Sequence, residues 1–327
     1  MPTKTFIEAI RDTLRDEMAR DDNVILLGED VGANGGVFLA TEGLQKKFGA
    51  NRVIDAPLAE LAIIGVSIGA AAVGLRPIAE IQFADFIHPA FDQIVNEAAK
   101  MRYRTNGAWT CPMVIRTPWG GGIHGGLYHS QSIEAFFCHV PGLKVIAPCT
   151  PYDAKGLLAA AIRNPDPVLF LEHKKLYRSI KGEVPDDDYV LPIGKADVKR
   201  AGSDVTAIAY GAMLHETLAA AEKLASENIS VQVVDLRTLQ PLDRETILTS
   251  VRKTSKVCII HEDTRTMGLG AELSAIISEE AFSDLDAPIV RVTGPDLPGI
   301  PFNDVGEHTF LPNAEKIANA LRALAKY

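Results

Sequence analysis

The stretch RVIDAPLAELAIIGVSIGAAAVGLRPIAEIQF (52–83) decides the fold, because it places a helical segment between two short strands. The strands are RVID (52–55) and RPIAEIQF (76–83), and the helical segment begins near Pro57, a residue favoured at helix starts. Strands that alternate with helices are typical of a parallel sheet covered by helices. This stretch therefore predicts an α/β fold.

The same alternation extends over most of the 327 residues. Segment 6–18 has an apolar residue at every fourth position, as in an amphipathic helix, and PAFDQIVNEAAKMRYRT (89–105) also predicts a helix. A linker is indicated at 181–198, KGEVPDDDYVLPIGKADV, because its apolar residues follow neither the helical nor the strand period for long. We expect a first domain at 1–185, a linker at 186–198 and a smaller α/β domain at 199–327.

Composition and charge exclude several function classes. A net charge of −9 without a basic run argues against nucleic-acid binding. The four cysteines form no CxxC pair, as expected for reduced thiols of a cytosolic protein. The charged N-terminal segment does not resemble a secretory signal, and the uncharged run 61–75 is shorter than the roughly 20 residues that cross a bilayer. We therefore expect a cytoplasmic protein.

Glu60 stands at the start of this uncharged, glycine-containing run and is open to two interpretations. It is either a first-turn acid that is favoured by the helix dipole, or a catalytic acid whose surroundings adapt it to proton transfer. Gly65, Gly69 and Gly74 would let the helix pack closely against another helix or chain. We expect that face to form a subunit contact.

The loop WGGGIHGGLYHSQS (119–132) is the richest in glycine and carries His124 and His129. Glycines let a backbone approach a ligand closely, and histidine suits acid–base work near neutral pH. A surface hydrogen bond is the alternative for either histidine, and no carboxylate or cysteine stands at a spacing that predicts a zinc site. The chain also lacks GxGxxG, GxxxxGK[ST] and GxSxG motifs.

Motifs along the whole chain together resemble the β subunits of 2-oxo acid dehydrogenase E1 components. They are GEDVG, GGVF, TEGL, DAPLAE, EIQFADF, PAFDQIVNEAAK, HGGLYHSQS, PGLKVIAP, TPYDAKGLL, VLPIGKADV and VVDLRTLQPLD. The FADF and LYHSQS forms are closer to the branched-chain 2-oxo acid enzymes than to the pyruvate enzymes. The resemblance implies a thiamine diphosphate-binding fold, with a pyrimidine-binding domain followed by a transketolase C-terminal domain.

The resemblance also implies partners. The family's α subunit carries the GDG motif and a later Asn that hold the diphosphate and Mg²⁺, and this chain has no such motif. Active sites would then form between α and β in an α2β2 heterotetramer, which passes an acyl group to the lipoyl group of E2. A pyruvate or acetoin E1 β subunit, a β chain that mainly docks E2, and a self-sufficient transketolase-like enzyme are the alternatives.

Three residues fall on the family's site positions, and two more lie on the same loops. Glu60 matches the glutamate that activates the cofactor through N1′ of its aminopyrimidine ring. Phe86 falls where an aromatic residue, often Tyr, packs on that ring, and Leu58 and Gln82 lie on the same two loops. His129 matches the histidine that guides reaction with the lipoyl group of E2.

Branched-chain relatives also hold a structural potassium ion. The matching positions are Cys111, Met113, Val114, Ala161, Asn164 and Asp166. Two of these depart from the pattern, because Ala161 stands where a Cys can occur and Asn164 replaces an Asp. A potassium site built by these residues is what the resemblance implies, despite the two departures.

Overall fold

The computed structural model describes Met1–Tyr327, which form two compact units. The first contains Met1–Trp119 and Phe136–Ile193, and the second contains Gly120–Ala135 and Gly194–Tyr327. The domain boundaries expected from the sequence place residues 120–135 in the first domain, whereas this loop groups with the second unit. No helix is both long and apolar enough to cross a membrane.

The first unit alternates strands and helices. Its strands are β1 (Thr3–Thr5), β2 (Val24–Gly28), β3 (Val53–Asp55), β4 (Arg76–Glu80), β5 (Val114–Trp119), β6 (Lys144–Ile146), β7 (Val168–His173) and β8 (Lys181–Glu183). Its helices are α1 (Phe6–Arg20), α2 (Leu44–Phe48), α3 (Glu60–Ala72), α4 (Met101–Arg104), α6 (Pro151–Arg163) and α7 (Leu176–Ser179), and α5 (Glu134–Cys138) carries the chain back from the second unit.

Six of these strands form a parallel sheet in the order β6-β7-β5-β4-β2-β3, as the alternation predicts. Strands β1 and β8 form a separate antiparallel pair. The predicted N-terminal helix is confirmed as α1, whose Phe6, Ile10, Leu14 and Met18 side chains are fully buried. Helix α1 packs against α6.

The single helix expected at 89–105 is broken into shorter pieces. A 3₁₀ turn at His88–Ala90 is followed by a π-helical segment at Gln93–Ala98 and then by α4. The Ala99 carbonyl packs so tightly on Gly142, which has φ +95°, that a Cβ there has no room. A repeat of apolar residues does not reveal this local widening of the helix.

The second unit is a smaller α/β layer structure. Its strands are β9 (Asp197–Arg200), β10 (Val205–Ala209), β11 (Val231–Asp235), β12 (Thr238–Gln240), β13 (Val257–Thr264) and β14 (Val290–Gly294). Its helices are α8 (Ala212–Ala225), α9 (Arg244–Thr254), α10 (Leu269–Glu280), α11 (Asp304–Phe310) and α12 (Ala314–Ala325). A five-stranded sheet has the order β14-β13-β10-β11-β9, in which only β9 is antiparallel to its neighbour.

Candidate active site

The carboxyl ends of β2, β3 and β4 place the candidate residues of the first unit on one edge of its sheet. Gly28, the last residue of β2, pairs in register with Asp55 of β3 and with Glu80 of β4. Glu60 follows β3, and Phe86 follows β4. In open α/β sheets this edge is where ligands bind.

Glu60 is the first residue of α3 and is half-buried. Its N-cap residue, Ala59, makes no side-chain cap, so the first-turn amides depend on other acceptors. A carboxylate at this position is favoured by the helix dipole. This geometry agrees with both interpretations of Glu60, since a first-turn acid beside a binding edge can also exchange a proton.

Glu29 is a second acid at this edge, and the sequence reasoning missed it. It follows β2 directly, and burial together with the charges of Asp30 and Glu60 raises the pKa of its carboxyl. The influence of Glu60 shows that these two acids share one electrostatic environment. The available signal was an acidic pair, Glu29–Asp30, directly after a buried strand.

Phe86 stands at the end of an aromatic cluster. Its ring meets the edge of Phe83 at a centroid distance of 5.8 Å, and Phe83 meets Phe38 in the same way at 5.5 Å. Phe86 and Gln82 are half-buried, and Leu58 is 73% exposed. The same edge of the sheet therefore offers acids and flat apolar surfaces, which suits a planar heterocycle.

Below these loops lies a buried charge network that the sequence did not predict. The guanidinium of Arg116 in β5 donates to Glu80 Oε2 at 2.7 Å and to both oxygens of Glu172 at 2.6 and 2.7 Å. The Tyr177 hydroxyl donates a hydrogen bond to Glu172 Oε2, with the two oxygens 2.7 Å apart. Burial raises the pKa of Glu80, although Arg116 opposes that shift.

The glycine-rich loop that carries His129 is held by two buried acids of the second unit. Glu262 Oε1 accepts from the Gly121 amide at 2.9 Å and from the Ser132 hydroxyl at 3.1 Å. Glu307 accepts from the Gly122 amide at 2.8 Å. Both acids are 3% exposed, so each hydrogen bond replaces solvation that the carboxylate has lost.

The two histidines of this loop have different surroundings. The His124 ring lies between Glu307 and Asp304, with Nδ1 2.9 Å and Nε2 3.0 Å from their carboxylate oxygens, and its backbone has φ +58°. His129 ends the short turn Gly126–Tyr128 and is half-buried. His124 is thus a structural part of the loop, which leaves His129 as the better catalytic candidate.

Gly125 explains how the loop reaches its conformation next to His129. A Cβ on Gly125 would lie 2.7 Å from the His129 carbonyl oxygen and 2.7 Å from Ser130 Oγ. Any other residue at position 125 would push this backbone away. The glycines therefore permit the tight turn that presents His129.

Two of the residues expected to bind potassium, Asn164 and Asp166, lie next to cationic side chains. Asp166 forms ion pairs with Arg102 and Lys144, and Asn164 Oδ1 accepts from Lys144 Nζ at 3.1 Å. Cys111 and Met113 precede β5, Val114 begins it and Ala161 lies in α6, and all four residues are buried. The side-chain oxygens of Asn164 and Asp166 are thus bonded to cationic side chains.

Similarity to known proteins supports the α/β fold with its two domains. The chain matches the transketolase pyrimidine-binding domain over residues 3–180 and the transketolase C-terminal domain over residues 194–317. A solved structure titled "Split gene transketolase, inactive beta4 tetramer" superposes with a TM-score of 0.80 at 25% identity, covering 98% of each chain. The expected thiamine diphosphate-type fold with its two successive domains is thereby confirmed.

Two curated relatives from Bacillus subtilis (strain 168) match over the full length of both chains. The 2-oxoisovalerate dehydrogenase subunit beta is 58% identical over 327 residues, and the pyruvate dehydrogenase E1 component subunit beta is 49% identical. With such identity across both domains, the chain belongs to the family of β subunits of 2-oxo acid dehydrogenase E1 components.

Proposed function

We propose that this E1 β subunit works with an α subunit to decarboxylate branched-chain 2-oxo acids and to transfer the acyl group to the lipoyl group of E2. The observation that carries the proposal is Glu60 at the start of α3, on the edge of the sheet where Phe86 and its aromatic neighbours follow β4. The higher identity to the 2-oxoisovalerate subunit than to the pyruvate subunit supports the branched-chain substrates.

The residues at this edge fit the cofactor on which transketolase-like E1 enzymes depend, thiamine diphosphate. Its aminopyrimidine ring has a flat face that Phe86 can contact and a ring nitrogen, N1′, to which Glu60 can hydrogen-bond. The bound cofactor supplies an electron sink for decarboxylation. Glu60 would hold the proton at N1′, and the aromatic cluster would keep water from the ring.

The α subunit would supply what this chain lacks. Without a diphosphate-binding motif, the chain is expected to leave the diphosphate and Mg²⁺ to its α partner. The outer face of α3 and its C-cap supports an assembly such as α2β2, because Leu61 and Val66 in the helix are 51% and 61% exposed and the C-cap Val73 is 80% exposed. Contact with another subunit would cover this apolar face.

His129 would act after decarboxylation, when the acyl group passes to E2. We expect His129→Ala to lower acylation of the lipoyl domain by at least about 100-fold, because a general acid–base contributes that much. Decarboxylation with an artificial electron acceptor should fall by less than about tenfold. Both assays use the assembled α and β subunits.

The exposed His139 provides the matched control for this experiment. His139→Ala should leave both activities unchanged, since the variant removes an imidazole from the surface. Equal losses in the two assays of His129→Ala would contradict the division of roles between His129 and Glu60.

A further inference from the structure

The loop between α6 and β7, residues 164–167, is surrounded by basic side chains. Lys144 in β6 places its Nζ 3.1 Å from Asn164 Oδ1 and 3.0 Å from Asp166 Oδ2. Arg102 donates from Nε to the other oxygen, Asp166 Oδ1. Both carboxylate oxygens of Asp166 therefore already face a positive charge.

The backbone oxygens of the same region are also bonded to N–H groups. Arg76 donates from Nη1 to the Ile162 carbonyl at 2.9 Å and to the Asn164 carbonyl at 3.4 Å. The Ala161 carbonyl accepts from the Asn164 amide at 3.1 Å, and the Met113 carbonyl accepts from the Val168 amide at 3.0 Å. An alkali ion needs several such oxygens at once, and here they are turned toward donors.

The charges around the loop also disfavour a bound cation. Burial alone would raise the pKa of the Asp166 carboxyl, but hydrogen bonds from Arg102 and Lys144 lower it. One carboxylate thus interacts with two cations, so a third cation would meet repulsion rather than an uncompensated negative charge. A Lys ammonium is a compact point charge with three donors, and it can stand where a monovalent ion would otherwise bind.

We propose that the Lys144 ammonium, assisted by Arg102, takes the place of a bound potassium ion in the loop between α6 and β7. The loop is then ordered by the chain's own cations, and the folded protein requires no alkali metal. This inference is independent of the substrate proposed above, since it concerns the folding of the first unit.

The test compares thermal unfolding of the full chain in KCl and in choline chloride, each at about 150 mM so that screening is equal. The wild-type Tm should agree in the two salts within about 1 °C. Lys144→Met should melt at least about 3 °C lower in choline chloride and regain at least about half of that loss in KCl, because the vacated position can then admit the ion.

Lys100→Met is the matched control, because Lys100 is exposed and its ammonium donates to Asn96 Oδ1, so this variant should show no dependence on the salt. A wild-type Tm about 3 °C higher in KCl would overturn the proposal, as would a Lys144→Met variant that melts alike in both salts. Crystals of the wild type soaked in rubidium chloride give a second measurement, which stands even if the variant fails to fold. Anomalous density beside Asp166 would contradict the proposal, and its absence there would support it.

Discussion

Replacing Glu60 with Gln should lower 2-oxo acid decarboxylation by the assembled enzyme at least about 100-fold, the usual contribution of a positioned acid–base group. Gln has nearly the same shape as Glu, but its amide cannot hold or release the proton that the proposed role requires. Assembly with the α subunit should be retained, because Glu60 is only half-buried. The measurement is decarboxylation with an artificial electron acceptor at saturating cofactor.

Glu245 is a matched control, since it is also an acid in the first turn of a helix, α9. If Glu60 serves only the helix dipole, Glu60→Gln and Glu245→Gln should behave alike and cost a few tenths of a kcal/mol in stability. Wild-type decarboxylation by Glu60→Gln in the presence of α would rule out the catalytic role.

Replacing Arg116 with Met should lower the free energy of unfolding by about 3–5 kcal/mol, the usual cost of breaking a buried ion pair from one side. Met fills most of the space, but it leaves the carboxylates of Glu80 and Glu172 buried without their partner. The measurement is urea unfolding of the full chain. Arg252→Met, which breaks the exposed pair with Asp284, should cost less than about 1 kcal/mol.

The pH dependence gives a further check on the Arg116 network. The pKa of Glu80 is already raised by burial with Arg116 in place, and loss of that cation should raise it further. An acid whose pKa is higher in the folded than in the unfolded state gains stability as the pH falls. The loss of unfolding free energy in Arg116→Met, relative to the wild type, should therefore shrink as the pH falls from neutral toward the range in which Glu80 becomes protonated. A deficit that is the same at every pH would contradict this explanation.

The alternation of strands and helices predicted most of the fold, because local periodicity and short connections determine a parallel sheet. Local sequence could not predict the grouping of residues 120–135 with the second unit. That grouping depends on Glu262 and Glu307, which lie 141 and 185 positions from the loop glycines that they bind. Hydrogen bonds between such distant positions leave no periodic signal.

The candidate site was only partly accessible to sequence reasoning. Glu60, Phe86 and His129 came from the family motifs, and they follow β3, β4 and β5 respectively. Glu29 and Arg116 were missed, because their importance depends on burial and on neighbours from other strands. The ion pair between Lys144 and Asp166 was not predicted for a similar reason, since Lys144 reaches Asp166 from β6.

Substrate preference tests the central claim most directly. The purified α and β subunits, assembled with thiamine diphosphate and Mg²⁺, should be assayed for CO₂ release from 3-methyl-2-oxobutanoate and from pyruvate. We expect kcat/KM to be at least about tenfold higher for the branched substrate, because a pocket shaped for it gains about 1–3 kcal/mol from each added methylene. An equal or higher kcat/KM for pyruvate would contradict the branched-chain assignment, and no CO₂ release from any 2-oxo acid would contradict the proposed function itself.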